Sequence, residues 1–370
     1  MKNLTLNVRR VYNVNGLVFN VGENGSMTRF DNVFKKRYGY ASADNIKHCL
    51  TEKFCEITNL ERPKRYYAKN IKKEGDKDKQ ADVFTDFDLR NPFIRLNGVW
   101  NPNEISFNDE KYNKCAMKSI INFSDMLPLH VLLTNMDKQC GVNCGNASDA
   151  VYFKEGKNDN VKMFFTVEEL VKNGGKTQKD AEQMFRETRP MNFYEKNETS
   201  SGIYYIDRHI NLTNLIYVDV TNVTLTEEDE MEYIKDGYKF EIINGKKYFI
   251  VPKEQALSDL QSIIEAMFTW DFLSNNSVHG SVKEPLRTTI SLNNTELWQQ
   301  STMASLNEDG KSVSLDFNSA EEDEECGVYS FNTKLLKKFY NNTNIEYSSL
   351  ADKKAMEKIM EIAVNSVEKL

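Results

Sequence analysis

Leu4, Leu6 and Val8 alternate with polar residues, and the pattern resumes through Val11, Tyr12 and Val14 to Leu17, Val18 and Phe19. A period of two sends successive side chains to opposite faces, so the chain is expected to open on a β-strand with a bend or extension. A Gly-rich loop from Val21 to Phe30 follows and leads into the basic run Lys35-Lys36-Arg37, after which Ser42 is a suitable N-cap. Ile46, Cys49, Leu50 and Phe54 recur at spacings of three and four, which predicts a helix over residues 43–55 with one buried stripe. Its polar face carries Asn45, Lys47, His48 and Lys53.

Residues 61–79 are charge-rich with two tyrosines and read as a surface loop or projecting ribbon. Residues 138–200 are rich in Asn, Gly, Lys, Asp and Glu, with a short amphipathic helix near Thr177 to Arg186, and read as an insertion. Gly202 to Ile206 and Leu215 to Val220 have strand composition, and Tyr238 to Val251 reads as a hairpin turning at Asn244-Gly245. Leu257, Leu260, Ile264, Met267 and Phe268 trace a helix over 254–273, and a final amphipathic helix spans 350–370. This order predicts an α+β sandwich of the ferredoxin-like or RRM-like type, with helices on one face and the other sheet face left free.

Composition adds a hydrophobic fraction of 40% with 21 Phe and 17 Tyr, enough for a core without disulfides or metal. The six cysteines show no CxxC pair, and Cys140 and Cys144 are the nearest approach to one, so buried or idle thiols are expected. No window approaches the roughly 18 apolar residues of a membrane span, and the first residues lack a signal-peptide core. A soluble, cytoplasmic protein without membrane contact is expected. The net charge of −7 argues against a phosphate-rich partner, but residues 1–80 hold 17 Lys and Arg against nine Asp and Glu, leaving −15 to the remainder. A basic face and an acidic face are therefore compatible with one chain, and Glu321 to Glu325 reads as a solvated acidic loop.

The basic run before a helix N-terminus, with free N–H groups and a Ser hydroxyl, has the chemistry of a phosphate cradle, although three adjacent cations also describe a solvated loop. Asp44 suits the helix dipole and repels phosphate. Arg62, Lys64, Arg65, Tyr66, Tyr67, Lys69, Lys72 and Lys73 interleave cations and aromatics, a mixture suited to tracking a backbone and stacking bases. His48, His130, His209 and His279 form no metal or acid–base array, and no nucleotide or hydrolase signature occurs. Asp82, Asp86 and Asp88 lack the Gly and terminal Glu of a calcium loop and read as strand-flanking carboxylates. Neither a cofactor nor a metal is expected.

Three stretches carry a resemblance to the backbone subunits of CRISPR Cascade complexes, the "Cas-seven" branch of the repeat-associated RAMP superfamily. Lys35 to Leu50 (KKRYGYASADNIKHCL) resembles the family's basic strand and the Ser-x-x-x-x-Lys start of its first helix. Glu198 to Leu215 resembles its Ser-Ser-Gly-aromatic strand, and Val282 to Asn294 its basic stretch before a late strand. The stretches follow the family's order; Asp44 and His48 stand where it often has Gln and Arg.

The resemblance implies a single hand-like unit over 1–370. Its palm core is 1–60 with 200–320, its finger-like insertion 61–115, its thumb-like insertion 138–200 and its C-terminal helix 345–370. It implies a non-catalytic subunit that binds guide RNA, meets the complementary target strand through base pairing, and lines up with copies of itself and with other Cascade subunits in a filament. The RNA contacts implied are Arg29, Lys35, Lys36, Arg37, Tyr38, Ser42, Asn45, Lys47 and Lys118, with Lys283 and Arg287 in support. Two alternatives remain: a guide-directed endoribonuclease in which Asp31 assists cutting, and a protein-interaction module that binds no RNA.

Overall fold

The computed structural model describes residues 3–17, 21–22, 25–26, 28–68, 82–86, 88–101, 105–107, 110–112, 114–142, 151–155, 160–187, 193–271, 282–293, 303–317, 327–343 and 345–370. Residues 69–81, the pair Cys140 and Cys144 as a site, His279 and Glu321–Glu325 lie outside what it describes. Two compact units divide the chain, one of Met1–Met136 with Thr199–Leu370 and the other of Asp137–Glu198.

The larger unit is built on β1 (Thr5–Leu17), β2 (Thr28–Asp31), β3 (Lys36–Gly39), α1 (Ala43–Thr58), α2 (Pro92–Asn97), β4 (Ile121–Phe123), β5 (Phe193–Asn211), α3 (Lys253–Thr269), β6 (Val282–Leu292), β7 (Val328–Thr333), β8 (Tyr347–Ser348) and α4 (Ala351–Glu368). The main sheet runs β4-β5-β1-β6-β7-β8, antiparallel except for the parallel pair β7 and β8. Counting β1, β4, β5 and β6 as strands one to four, with α1 and α3 as the crossovers, gives the order 4-1-3-2. This is the ferredoxin-like βαββαβ arrangement, and β7 and β8 extend it beyond strand four.

The alternation in β1 settles which face is which. Leu6, Val8, Tyr12 and Val14 join Ile206, Ile210 and Ile290 beneath Ile46, Leu50 and Phe54 of α1, Leu260, Ile263 and Ile264 of α3, and Ile359 and Ala363 of α4. Arg10 interrupts that apolar row. Its guanidinium donates to the carbonyls of Met267 (3.2 Å) and Phe268 (3.4 Å) at the end of α3 and to Asp352 (2.7 Å) in the first turn of α4. One buried cation thus satisfies the carbonyl end of one helix and pairs with the start of another.

The opposite sheet face is not free, contrary to the sequence expectation. Asn7, Arg9, Thr289 and Ser291 on it are buried, and Val11, Ile203, Leu286, Phe317 and Leu336 form a second core there. Its polar groups pair internally: Arg9 grips Asp207 through two bonds (2.9 and 2.8 Å), and His209 Nδ1 lies 2.6 Å from Asn7 Oδ1.

The helix expected over 43–55 runs to Thr58 and stops at Asn59 in the left-handed conformation (φ 52°). The hairpin at Asn244-Gly245 forms with φ of 52° and 77°, pairing Lys239–Ile243 with Lys246–Ile250. Leu215 to Val220 differs from expectation: Asn211 accepts from the Asn214 N–H (2.9 Å) and starts the short helix Leu212–Ile216, leaving only Tyr217–Asp219 as strand. Within 61–115 lie the ladder of Arg65–Ala68 with Asp82–Thr85, α2, and Ile105–Phe107 paired with Glu110–Tyr112. The smaller unit contains a hairpin of Val151–Glu155 with Asn160–Phe164 and the helices Val167–Gly174 and Gln178–Glu187, packed around Phe164, Leu170 and Ala181.

Candidate nucleic-acid interface

The hairpin of β2 and β3 pairs Arg29 with Tyr38, Phe30 with Arg37 and Asp31 with Lys36. Asp31 shapes its turn, since one carboxylate oxygen accepts the N–H groups of Val33 (2.9 Å) and Phe34 (2.8 Å). Lys35 follows at φ 53°, a left-handed position where Gly or Asn is the easier occupant. Phe34 meets His130 edge-on at 4.9 Å and anchors the turn.

Alternation divides the hairpin's side chains into two sets. Phe30 (51% exposed) and its cross-strand neighbour Arg37 project outward, with Val33 (79% exposed) and Lys35 beside them in the turn. Lys35 and Arg37 make no hydrogen bond or ion pair among the described residues. The other set is engaged. Lys36 Nζ donates to the Thr134 carbonyl, Tyr38 is half-buried, and Arg29 pairs with Asp125 (2.6 Å) while its guanidinium covers the Tyr40 ring at 4.0 Å. Desolvation is the largest single influence on Arg29 and lowers its pKa, but Asp125 and Tyr40 together outweigh it and hold the pKa above the ordinary value.

The N-terminus of α1 is satisfied from within. Ser42 Oγ accepts from the Asn45 N–H (3.3 Å), and Asp125 Oδ1 accepts from the Ala43 N–H (2.8 Å). A carboxylate therefore sits where the sequence suggested phosphate, aided by the same dipole. Asn45 receives the Cys49 thiol (3.3 Å), and Lys47 donates to the Asn97 carbonyl (3.1 Å) and Ser119 Oγ (3.2 Å), tying α1 to α2. Burial lowers the Lys47 pKa, Asp44 opposes that and Arg65 adds to it.

The Ser-Ser-Gly stretch has an equally local explanation. Ser200 Oγ accepts from the Gly39 N–H (3.2 Å) and Ser201 Oγ from the Gly16 N–H (3.0 Å), joining β5 to β3 and to the end of β1. Gly202 has φ 143°, and any Cβ there meets the backbone of Leu133 and Thr134, so glycine is required.

Two of the implied contacts need correction. Lys283 points under α3, where Nζ donates to the Trp270 carbonyl (2.6 Å) and lies 3.4 Å from the centre of the Trp270 ring; burial pushes its pKa down to about 7. Arg287 points to the other face and is buried, donating to the Phe317 carbonyl (2.5 Å) and Ser330 Oγ (2.8 Å), with its pKa pushed down by burial to about 10. Because both sheet faces are covered, Arg287 is buried and the Lys283 side chain is only 8% exposed. Lys36 and Lys47 are likewise committed to protein oxygens, whereas Lys118 is exposed.

No family model matches this sequence, and no curated protein matches it. Among solved structures, a chain described as "CRISPR RNA-guided surveillance complex" superposes at 8% identity and a TM-score of 0.45, covering 97% of this chain and 99% of that chain. A chain described as "CRISPR RNA-guided surveillance complex, pre-nicking" does so at 7% identity and a TM-score of 0.47, covering 97% of this chain and 100% of that chain. Likeness at that level carries no functional argument, so the site rests on its own residues.

Sequence reasoning overlooked Phe30, Val33 and Asp125. Reading Val21 to Phe30 as a loop assigns no face to Phe30; the β2–β3 register is what turns it outward, opposite to Arg29. Asp125 lies 82 residues from Ala43, and no local signal joins them. Among the described residues no group of three or more His, Cys, Asp or Glu is placed to hold a metal, and no helix is long and apolar enough to cross a membrane. Cys49, Cys55 and Cys115 are buried and in no disulfide, and burial pushes the Cys115 thiol up to about 12.

Proposed function

We propose that this chain is a non-catalytic guide-RNA-binding subunit that assembles with copies of itself along the guide, as the backbone of a CRISPR surveillance complex acting in antiviral defence. The observation that carries the reading is the β2–β3 hairpin, which presents Phe30, Val33, Lys35 and Arg37 outward, the two cations falling within the stretch that resembles the family's basic strand. Cations beside an exposed aromatic suit single-stranded nucleic acid, whose phosphates pair with the cations while a base stacks on the ring. Lys118 and, on release from Asp125, Arg29 add to the positive field.

The test is binding of single-stranded guide RNA across a salt series. Replacing Lys35 and Arg37 by Glu should weaken binding and flatten the dependence of log affinity on log salt by at least about 1.4, since each phosphate contact contributes roughly 0.7 for a single strand. Unchanged affinity and slope in the folded variant would remove the hairpin from the interface. Protein that remains monomeric and free of RNA when guide is supplied would favour an interaction module instead. The cleaving alternative makes a separate demand, metal-dependent cutting of guide-matched RNA that Asp31→Ala abolishes; Asp31 already spends one oxygen on two turn amides.

A further inference from the structure

The helix-facing side of the main sheet holds charge that the RNA reading does not use. Arg10 and Arg208 project from β1 and β5 into the layer of Val8, Ile206 and Ile290, and Lys283 enters it from β6 beside Tyr12 and Trp270. Arg10 has Asp352 and two helix-end carbonyls as partners. Arg208 has none. It is 0% exposed, and Nε and both terminal nitrogens make no hydrogen bond among the described residues. The neighbouring Asp207 points to the other sheet face, where Arg9 holds it.

Other unused donors surround it. Arg208 stands across from Val8, diagonal to Arg10, and Thr288 stands directly across from Arg10 on β6. The Arg10 Nε, the Tyr12 hydroxyl and the Thr288 hydroxyl are buried there without a hydrogen bond. The Tyr12 hydroxyl is near enough to favour the Arg208 charge, yet outside bonding geometry. Guanidinium nitrogens can only donate, and each hydroxyl adds a donor, so the set is donor-rich and positively charged and holds no anionic acceptor of its own. A buried guanidinium needs compensating negative charge. Asp352 is committed to Arg10, Asp271 is largely exposed and 3.8 Å from Lys283, and residues 272–281, which connect α3 to β6, contain no Asp or Glu.

We propose that Arg208, Arg10, Tyr12 and Thr288 form an internal binding site for a small inorganic anion under the C-terminal end of α3. The anion supplies the acceptor that these donors share and balances the Arg208 charge. It serves the folded state, so ligation shows as stability.

The experiment is unfolding of the full chain, followed by circular dichroism, as sodium gluconate is exchanged for sodium chloride, bromide or phosphate at constant ionic strength. The expected result is a midpoint that rises and saturates, with the folding equilibrium shifted about a hundredfold once the anion stands at roughly 100 times its dissociation constant. Saturation by phosphate alone supports the site and makes its occupant an oxyanion. Arg208→Met keeps an apolar stem and should abolish the response. An unchanged midpoint in all three salts, as a water-filled site would give, overturns the proposal, as does an equal rise in Arg208→Met. Should that variant fail to fold, crystals of the natural sequence grown in bromide decide: an anomalous peak within hydrogen-bond reach of Arg208 supports the site, and peaks confined to the surface overturn it.

Discussion

Asp125→Asn separates what Asp125 does for the fold from what it does to RNA. The amide keeps an oxygen for the Ala43 N–H but removes the charge that faces Arg29 and the first turn of α1. Loss of an exposed ion pair costs about 0.2–1 kcal/mol, and loss of a favourable helix-dipole contact about 0.3–1 kcal/mol. The variant should therefore be destabilised by about 1 kcal/mol. Asp125→Ala also strips the acceptor from the helix start, which adds about 1 kcal/mol. RNA binding should move the other way. With Arg29 released from Asp125, one more cation of the same hairpin is available, and the slope of log affinity against log salt should steepen by about 0.7. Denaturant unfolding and fluorescence anisotropy with single-stranded guide RNA between 50 and 200 mM salt measure the two effects. A folded Asp125→Asn protein with an unchanged or shallower slope would refute the placement of RNA along this hairpin, because removing a carboxylate from a phosphate path cannot leave binding indifferent.

Gly202→Ala should cost about 3 kcal/mol or more, from backbone strain at φ 143° and contact with the Leu133–Thr134 backbone; thermal unfolding at parental temperature would contradict the geometry. Lys47→Met removes two half-buried hydrogen bonds and should lower stability by about 1–2 kcal/mol while leaving the RNA salt slope unchanged; a slope shallower by about 0.7 would restore Lys47 to the interface. Lys35→Asn replaces a left-handed lysine by a residue that tolerates φ 53°, so stability should rise by up to about 1 kcal/mol while RNA affinity falls, and a fall in both would show that Lys35 supports the turn. Burial lowers the Lys283 pKa to about 7, whereas an unfolded lysine keeps its proton to about 10.4. Across that window the unfolded state binds more protons, so stability should climb from pH 7 towards 10, and Lys283→Met should flatten the climb in denaturant titrations at each pH; an equally steep climb in the variant would assign it to other groups.

Where one physical rule acts alone, sequence reading succeeded. Leu6, Val8, Tyr12 and Val14 line one face because a strand alternates, and α1, α3 and α4 follow from apolar stripes whose period no tertiary contact needed to override. It missed elements too short to show a stripe. The helix Glu227–Lys235 begins with a capping box between Thr226 and Asp229, a readable local signal, while α2 begins at Asn91-Pro92 with an Asn cap. Lys283 and Arg287, expected as supporting RNA contacts, are enclosed by the fold for a different reason. A cation in an alternating strand identifies its face but not whether that face is covered, and the cover comes from α3, from α4 and from residues near Phe317, distant along the chain.

That distinction changes what the resemblance can support. Ser200, Ser201 and Gly202 are explained by the joints they make with Gly39, Gly16 and the Leu133–Thr134 backbone, and Lys283 and Arg287 by the carbonyls they hold, whatever the protein binds. Those two stretches argue for a sheet of this order. Lys35 and Arg37 are different: the fold draws no hydrogen bond from either, Lys35 sits at a strained φ, and Phe30 and Val33 expose apolar surface next to them. Folding stability favours none of these choices, since a Gly or Asn turn with polar neighbours would cost less. Strain and exposed aromatic surface kept beside cations that make no hydrogen bond among the described residues are what the proposed RNA contact would account for, since single-stranded nucleic acid would satisfy both the charge and the ring. The case for RNA therefore rests on the hairpin from Thr28 to Gly39, which is why charge reversal there, rather than at the buried cations, is the decisive test.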